Sequence, residues 1–207
     1  MKQFLTISNI LTLIRLIVSP IMLPVLIVYL LPFNTLWINI CLAVLFMLFG
    51  LTDFLDGFLA RWFKQTTALG KVLDPIADKF LVYSTFVALL AIHKIYFFWV
   101  LIFIGREFFM LGLRQLALEN DFSIAVSWLG KIKTFLQLVF LAVLIANPCH
   151  SMKDAGILTY VNDIWTCPDW MVPECLLLIL TLFLTIFSAY QYYRSFMYKY
   201  MQKLSLH

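Results

Sequence analysis

Between positions 53 and 78 the chain reads DFLDGFLARWFKQTTALGKVLDPIAD, and its four carboxylates fall into two pairs, Asp53 with Asp56 and Asp74 with Asp78. On a helix, spacings of three, four and seven return to the same face, so Asp53, Asp56, Gly57 and Ala60 form one stripe and Asp74 and Asp78 another. Both stretches read as apolar helices joined by a short turn, which makes them antiparallel neighbours whose acidic stripes can face each other. Four carboxylates gathered where water is scarce repel one another and lose hydration unless a cation stands between them. A hard divalent ion meets that need: Mg²⁺ or Mn²⁺ takes a few protein oxygens and fills its other positions with water and substrate phosphate. Two such ions would clamp a diphosphate.

The same stripe carries room and positive charge. Gly57 and Ala60 let something flat and bulky approach the backbone, and Arg61 is an always-charged donor suited to phosphate. Small residues beside an acidic stripe therefore suggest a nucleotide pocket. Taken singly, each has a plainer reading. Gly57 and Ala60 would serve close helix packing, and Asp74 before Pro75 has the form of an N-cap ahead of a proline at the first helical position.

The elements that hold these residues are long and apolar. With 63% hydrophobic and 13% charged residues among 207, the chain has too little polar material to cover a soluble core, which excludes a water-soluble globular enzyme. A hydrocarbon core about 30 Å thick takes about 20 helical residues. Six stretches qualify, approximately 9–31, 36–60, 72–92, 96–117, 132–147 and 171–193. The expected fold is all-α, one integral membrane domain over 1–207 with six transmembrane helices and no separate soluble part. The first block carries Arg15 and lacks a small-residue cleavage site, so it reads as a retained span rather than a signal peptide. Arg15 either snorkels to the head-group region or helps close the site.

Orientation follows the basic residues. Lys2, Arg61, Lys64, Lys71, Arg114, Lys131, Lys133, Arg194, Lys199 and Lys203 map to one face, and Lys94 and Lys153 to the other. The first face, with both termini and the acidic site, should be cytoplasmic. The outer loop over 148–173 carries Asp154, Asp163, Asp169 and two tryptophans, and no chemistry is expected there. Cys41, Cys149, Cys167 and Cys175 lack metal-type spacing. A disulfide in the outer loop is one option, and unpaired buried thiols are the favoured one. His93, His150 and His207 read as surface residues, and no nucleic-acid partner is expected.

Asp53, Asp56, Gly57, Ala60, Arg61, Gly70, Asp74 and Asp78 together resemble the signature of the CDP-alcohol phosphatidyltransferase family at every defined position. The resemblance implies a six-helix membrane fold, commonly a homodimer, in which the first three aspartates ligate two divalent metals that bind the CDP diphosphate. It implies Asp78 as general base and as the fourth residue of the metal site, and Thr12, Asp53, Asp56, Gly57, Ala60, Arg61 and Gly70 as the CDP-binding residues. Asn9, Leu11, Thr12 and Arg15, the segment Arg106, Glu107 and Arg114, and the run SWLGKIKT are similar to bacterial members whose acceptor is glycerol 3-phosphate. The implied reaction joins CDP-diacylglycerol to that acceptor in a bacterial inner membrane, with membrane lipids as the surroundings. The likeness extends to about Thr134 and fades in the outer loop.

Glycerol 3-phosphate is a small dianion arriving from the cytoplasm. Arg114, Lys131 and Lys133 would lie on the side of the metal site and form its phosphate pocket. For the two lysines the plainer reading is positive-inside flanking, which the resemblance outweighs. Arg106 joins the candidate pocket, although it and Glu107 fall near the middle of the fourth span, where a structural pair inside the bundle is an equal alternative. Two other functions stay open. The acceptor could be phosphatidylglycerol, serine or an inositol compound, or the carboxylates could line a divalent-cation pathway. The second gains nothing from Arg61, Arg114, Lys131 and Lys133.

Overall fold

A computed structural model describes residues 20–62, 68–120, 128–149 and 165–204, and of 52–62, 68–78, 128–129, 131 and 203–204 the backbone course alone. Among the described residues there is no strand. Six helices follow one another: α1 (Pro20–Phe33, its last turn 3₁₀), α2 (Leu36–Trp62), α3 (Ala68–Ala91), α4 (Phe97–Glu119), α5 (Trp128–Ala146) and α6 (Pro168–Leu204). Each overlaps one of the six expected stretches; residues 9–19 of the first lie outside the described residues, and the ends of α2 to α5 differ from expectation by a few residues. The last overshoots most: its 37 residues make a rod about 55 Å long, so the turns bearing Arg194 and Lys199 extend well beyond any hydrocarbon layer.

Among the described residues, one helix, Pro168–Gln202, is long and apolar enough on its own to cross a membrane. The other apolar helical stretches among the described residues, Pro20–Phe33, Leu36–Leu51, Lys79–Ala91 and Ile132–Ala146, are each bounded on one side by residues whose side chains lie outside the description. In α4, Arg106, Glu107 and Arg114 interrupt the apolar sequence.

The described residues form two compact units, with α5 and α6 contributing to both. The first combines α1, α2, α3, the end of α5 and the start of α6. Leu23, Ile27 and Leu31, four apart on α1, are fully buried, as are Phe46 of α2, Phe86 and Leu89 of α3, and Leu141 and Ile145 of α5. Asn34 closes α1 with a left-handed φ of 49°, a conformation its short polar side chain tolerates, and its Nδ2 donates to Pro148 O at 2.7 Å. His93, exposed and also left-handed, ends α3 in the same way.

The second unit holds α4, most of α5 and the rest of α6. Leu113 and Ala117 of α4 pack with Tyr192 and Phe196 of α6, and the Phe103 and Phe140 rings lie 6.2 Å apart. Along α6 the pattern is inside out. Leu176, Ile179, Phe183 and Ile186 are exposed, whereas Thr181, Thr185 and Ser188 are buried. Water penalises such a surface and hydrocarbon does not. In lipid, helices gain little by hiding leucine from tails that are equally apolar, so contact comes from close packing and internal hydrogen bonds. Thr181 and Thr185 accordingly satisfy their hydroxyls on Leu177 O and Thr181 O, each at 2.6 Å.

The expectation of unpaired thiols fails for two of the four cysteines: Cys149 and Cys167 form a disulfide with Cα atoms 6.1 Å apart. The end of α5 and the start of α6 are already tethered, because Asn147 Nδ2 reaches Met171 Sδ at 3.1 Å and Cys149 N donates to Asn147 Oδ1 at 2.8 Å. That brings the two cysteines, 18 apart in sequence, within bridging range. Cys41 and Cys175 are free.

Candidate active site

The acidic residues sit where α2 ends and α3 begins. Asp53, Asp56, Gly57, Ala60 and Arg61 belong to the last three turns of α2, and Gly70, Asp74 and Asp78 to the first three of α3. α2 and α3 pack against one another. The side chains of these eight residues, like the whole of Thr12 and Arg15, lie outside the described residues. A helical backbone at both pairs keeps Asp53 and Asp56 on one face of α2 and Asp74 and Asp78 on one face of α3.

Asp74 is not an N-cap. α3 starts at Ala68, so Asp74 and Pro75 stand inside the helix. A proline in a helix interior removes the donor that would serve the carbonyl four residues earlier, here that of Lys71. Neighbouring helices and polar groups make such breaks tolerable in membrane helices. As a donor set, two i,i+3 and i,i+4 carboxylate pairs on packed helices suit a hard divalent cation, all-oxygen and anionic.

The second unit contains a polar cluster with described side chains. Glu107, on α4, accepts through Oε1 from Arg106 Nη1 at 2.5 Å and from Lys133 Nζ of α5. Lys133 is 2% exposed and Glu107 9%, so this ion triad is withdrawn from the surface. Arg106 Nη2 donates to Ser188 Oγ of α6 at 2.8 Å, and Ser188 in turn donates to Thr185 O at 3.1 Å. Arg106 Nε is buried and has no hydrogen-bond partner among the described residues. Among the described residues, two cations meet one carboxylate here, in a setting where water screens little. Of the five guanidinium N–H donors, Glu107 and Ser188 engage one each on the two terminal nitrogens.

The structure thus brings together Arg106 and Lys133 from the expected basic pocket. It does not bring in Arg114, which lies two turns further along α4 and is exposed. Lys131 is in the first turn of α5, its side chain outside the described residues. Arg106 and Glu107 pair inside the bundle and engage Lys133, which is the structural alternative the sequence offered. Ser188 was not singled out from the sequence. The available signal was Thr181, Thr185 and Ser188 at spacings of four and three, a polar line on one face of an otherwise apolar helix.

Lys94 is also fully buried. Its Nζ donates to Ile145 O at 3.2 Å and Asn147 O at 2.7 Å, placing a cation on carbonyls at the negative end of α5.

A chain helical through nearly all its described residues, with exposed apolar side chains along α6, carboxylate pairs on two packed helices and a buried ion cluster has the make-up of a membrane protein that handles charged substrates. Residues 5–187 match the model of the CDP-alcohol phosphatidyltransferases. A protein of Sodalis glossinidius named CDP-diacylglycerol–glycerol-3-phosphate 3-phosphatidyltransferase is 38% identical over 159 residues, 74% of this chain and 84% of its own. Proteins of the same name from Rickettsia felis and Salmonella choleraesuis are 35% and 38% identical, over 74% and 80% of this chain and 77% and 92% of theirs. The chain belongs to the CDP-alcohol phosphatidyltransferase family, membrane-embedded transferases that depend on divalent cations.

Proposed function

We propose that this chain transfers the phosphatidyl group of CDP-diacylglycerol to glycerol 3-phosphate, giving phosphatidylglycerophosphate and CMP. The observation that carries the reading is the set of relatives of that name, 35–38% identical over most of the chain. The stretch from Asp53 to Asp78 lies within the matched family region.

In this proposal Asp53, Asp56 and Asp74 hold two divalent ions, Mg²⁺ or Mn²⁺, with Asp78 completing the acidic set. When bound, those ions neutralise the diphosphate and make its phosphorus more electrophilic. The chain's own residues do the rest. Gly57, Ala60 and Gly70 leave space for the cytidine against the helix backbones, with Thr12 beside it, and Arg61 contacts phosphate oxygens. Arg106, Arg114, Lys131 and Lys133 bind the acceptor's phosphate. Asp78 takes the proton from the acceptor's primary hydroxyl as that oxygen bonds to the phosphatidyl phosphorus, and the anhydride P–O bond breaks so that CMP leaves with its oxygen.

Six membrane spans, a single catalytic domain, a homodimer and a cytoplasmic active site in a bacterial inner membrane complete the proposal. The helices over all six apolar stretches support the first, and the Cys149–Cys167 disulfide supports an oxidising, outer location for the α5–α6 connection. Acyl chains would stay in the bilayer while the head group meets the helix ends. The test is mass balance: purified protein with CDP-diacylglycerol, Mg²⁺ and radiolabelled glycerol 3-phosphate should place label in lipid, one for each CMP released. CMP release without labelled lipid would refute the acceptor.

A further inference from the structure

We infer that Ser188 is a positioning residue for the acceptor, acting through Arg106. The inference rests on the proposed reading that Arg106 and Lys133 bind the phosphate of glycerol 3-phosphate.

A serine hydroxyl has one proton and two lone pairs. Ser188 commits its proton to Thr185 O at 3.1 Å, three residues back on α6, so the oxygen faces Arg106 as an acceptor and receives Nη2 at 2.8 Å. The other terminal nitrogen of the guanidinium, Nη1, is held by Glu107 Oε1 at 2.5 Å. Two acceptors on two different helices, α6 and α4, fix a planar group in both position and tilt, and only Nε is left without a partner among the described residues.

Burial makes the arrangement specific. Ser188 is 2% exposed and Thr185 and Thr181 are fully buried, so no bulk water stands ready to replace the hydroxyl. Glu107 simultaneously holds Lys133, which couples the orientation of Arg106 to that of the lysine. With Ser188 in place, the incoming phosphate meets a guanidinium already aimed. Without it, Arg106 is hinged on Glu107 alone and its ordering falls on the binding step, which weakens affinity for that substrate. None of these residues is among those proposed to bind the diphosphate substrate, so the effect should be confined to the acceptor.

The experiment is steady-state kinetics of the full-length protein in detergent micelles, with each substrate varied in turn. Ser188→Ala should raise KM for glycerol 3-phosphate about tenfold, the low end for a hydrogen bond to a charged group. KM for CDP-diacylglycerol and kcat should stay within about twofold, the margin of the KM-against-kcat distinction. Because Ser188 works through Arg106, adding Ser188→Ala to Arg106→Ala should change neither KM further. A merely structural serine would move both KM values together, or add its own increment on the Arg106→Ala background, and either result overturns the inference. If instead Arg106→Ala alone leaves KM for glycerol 3-phosphate at the wild-type value, the acceptor-pocket reading itself is wrong and the inference falls with it.

Discussion

Replacing Lys94 with methionine should cost stability and spare turnover. The ammonium is fully buried and donates to Ile145 O and Asn147 O at 3.2 and 2.7 Å. A hydrogen bond to a charged group contributes about 1.5–3 kcal/mol net, and each carbonyl left bare costs about 1–3 kcal/mol. Against this stands the desolvation of the cation, several kcal/mol, which methionine no longer incurs. The balance is a loss of about 3 kcal/mol, which for a chain of this size lowers the unfolding midpoint by about 6–12 °C. The assay is thermal unfolding in detergent, wild type against Lys94→Met, with Lys94→Arg as the charge-retaining control. CMP release at 20–25 °C below the lower midpoint should be unchanged, because the bonded carbonyls belong to the end of α5 remote in sequence from every candidate site residue. A midpoint shift under 2 °C, or an acceptor-specific rise in KM, would refute the assignment of Lys94 as a helix-end clamp.

Three further outcomes follow from the site and the fold. Asp78→Asn should lower kcat by about 10²–10⁴ with both KM values nearly unchanged, and undiminished turnover would remove Asp78 as the base. The double substitution Lys131→Ala with Lys133→Ala should raise KM for glycerol 3-phosphate at least tenfold, since it removes two of the four proposed phosphate cations; retained affinity would point to a different acceptor. In intact spheroplasts, Cys149 and Cys167 should resist a membrane-impermeant maleimide until an impermeant reductant is added, and labelling only after lysis would place the connection on the cytoplasmic side.

Much of this was legible in the sequence, for reasons that differ by residue. Helix positions followed from apolar runs of membrane length, so α2 and α4 begin within a residue of where those runs begin. Pattern alone could not find the start of α3, because Asp-Pro imitates a helix start and the true first turn, from Ala68, carries no apolar periodicity to announce it. The overshoot of α6 was hidden for the complementary reason: past Tyr193 the charges of Arg194, Lys199 and Lys203 interrupt the apolar sequence, and composition marks the end of a span, not the end of a helix. The cysteine pairing depended on Asn147 meeting Met171, a contact between residues 24 apart that no spacing rule encodes. Arg106, Glu107 and Lys133 stood out because charges inside apolar helices are costly and need partners. Ser188 did not, since a lone hydroxyl can satisfy itself on its own helix.

The most direct test of the central claim is CMP release from CDP-diacylglycerol and Mg²⁺ by the purified protein, with glycerol 3-phosphate, phosphatidylglycerol, serine and inositol 1-phosphate offered in parallel. The account predicts release that depends on glycerol 3-phosphate, is abolished by chelating the divalent ion and returns with Mg²⁺ or Mn²⁺. Release supported by another acceptor and not by glycerol 3-phosphate would contradict it.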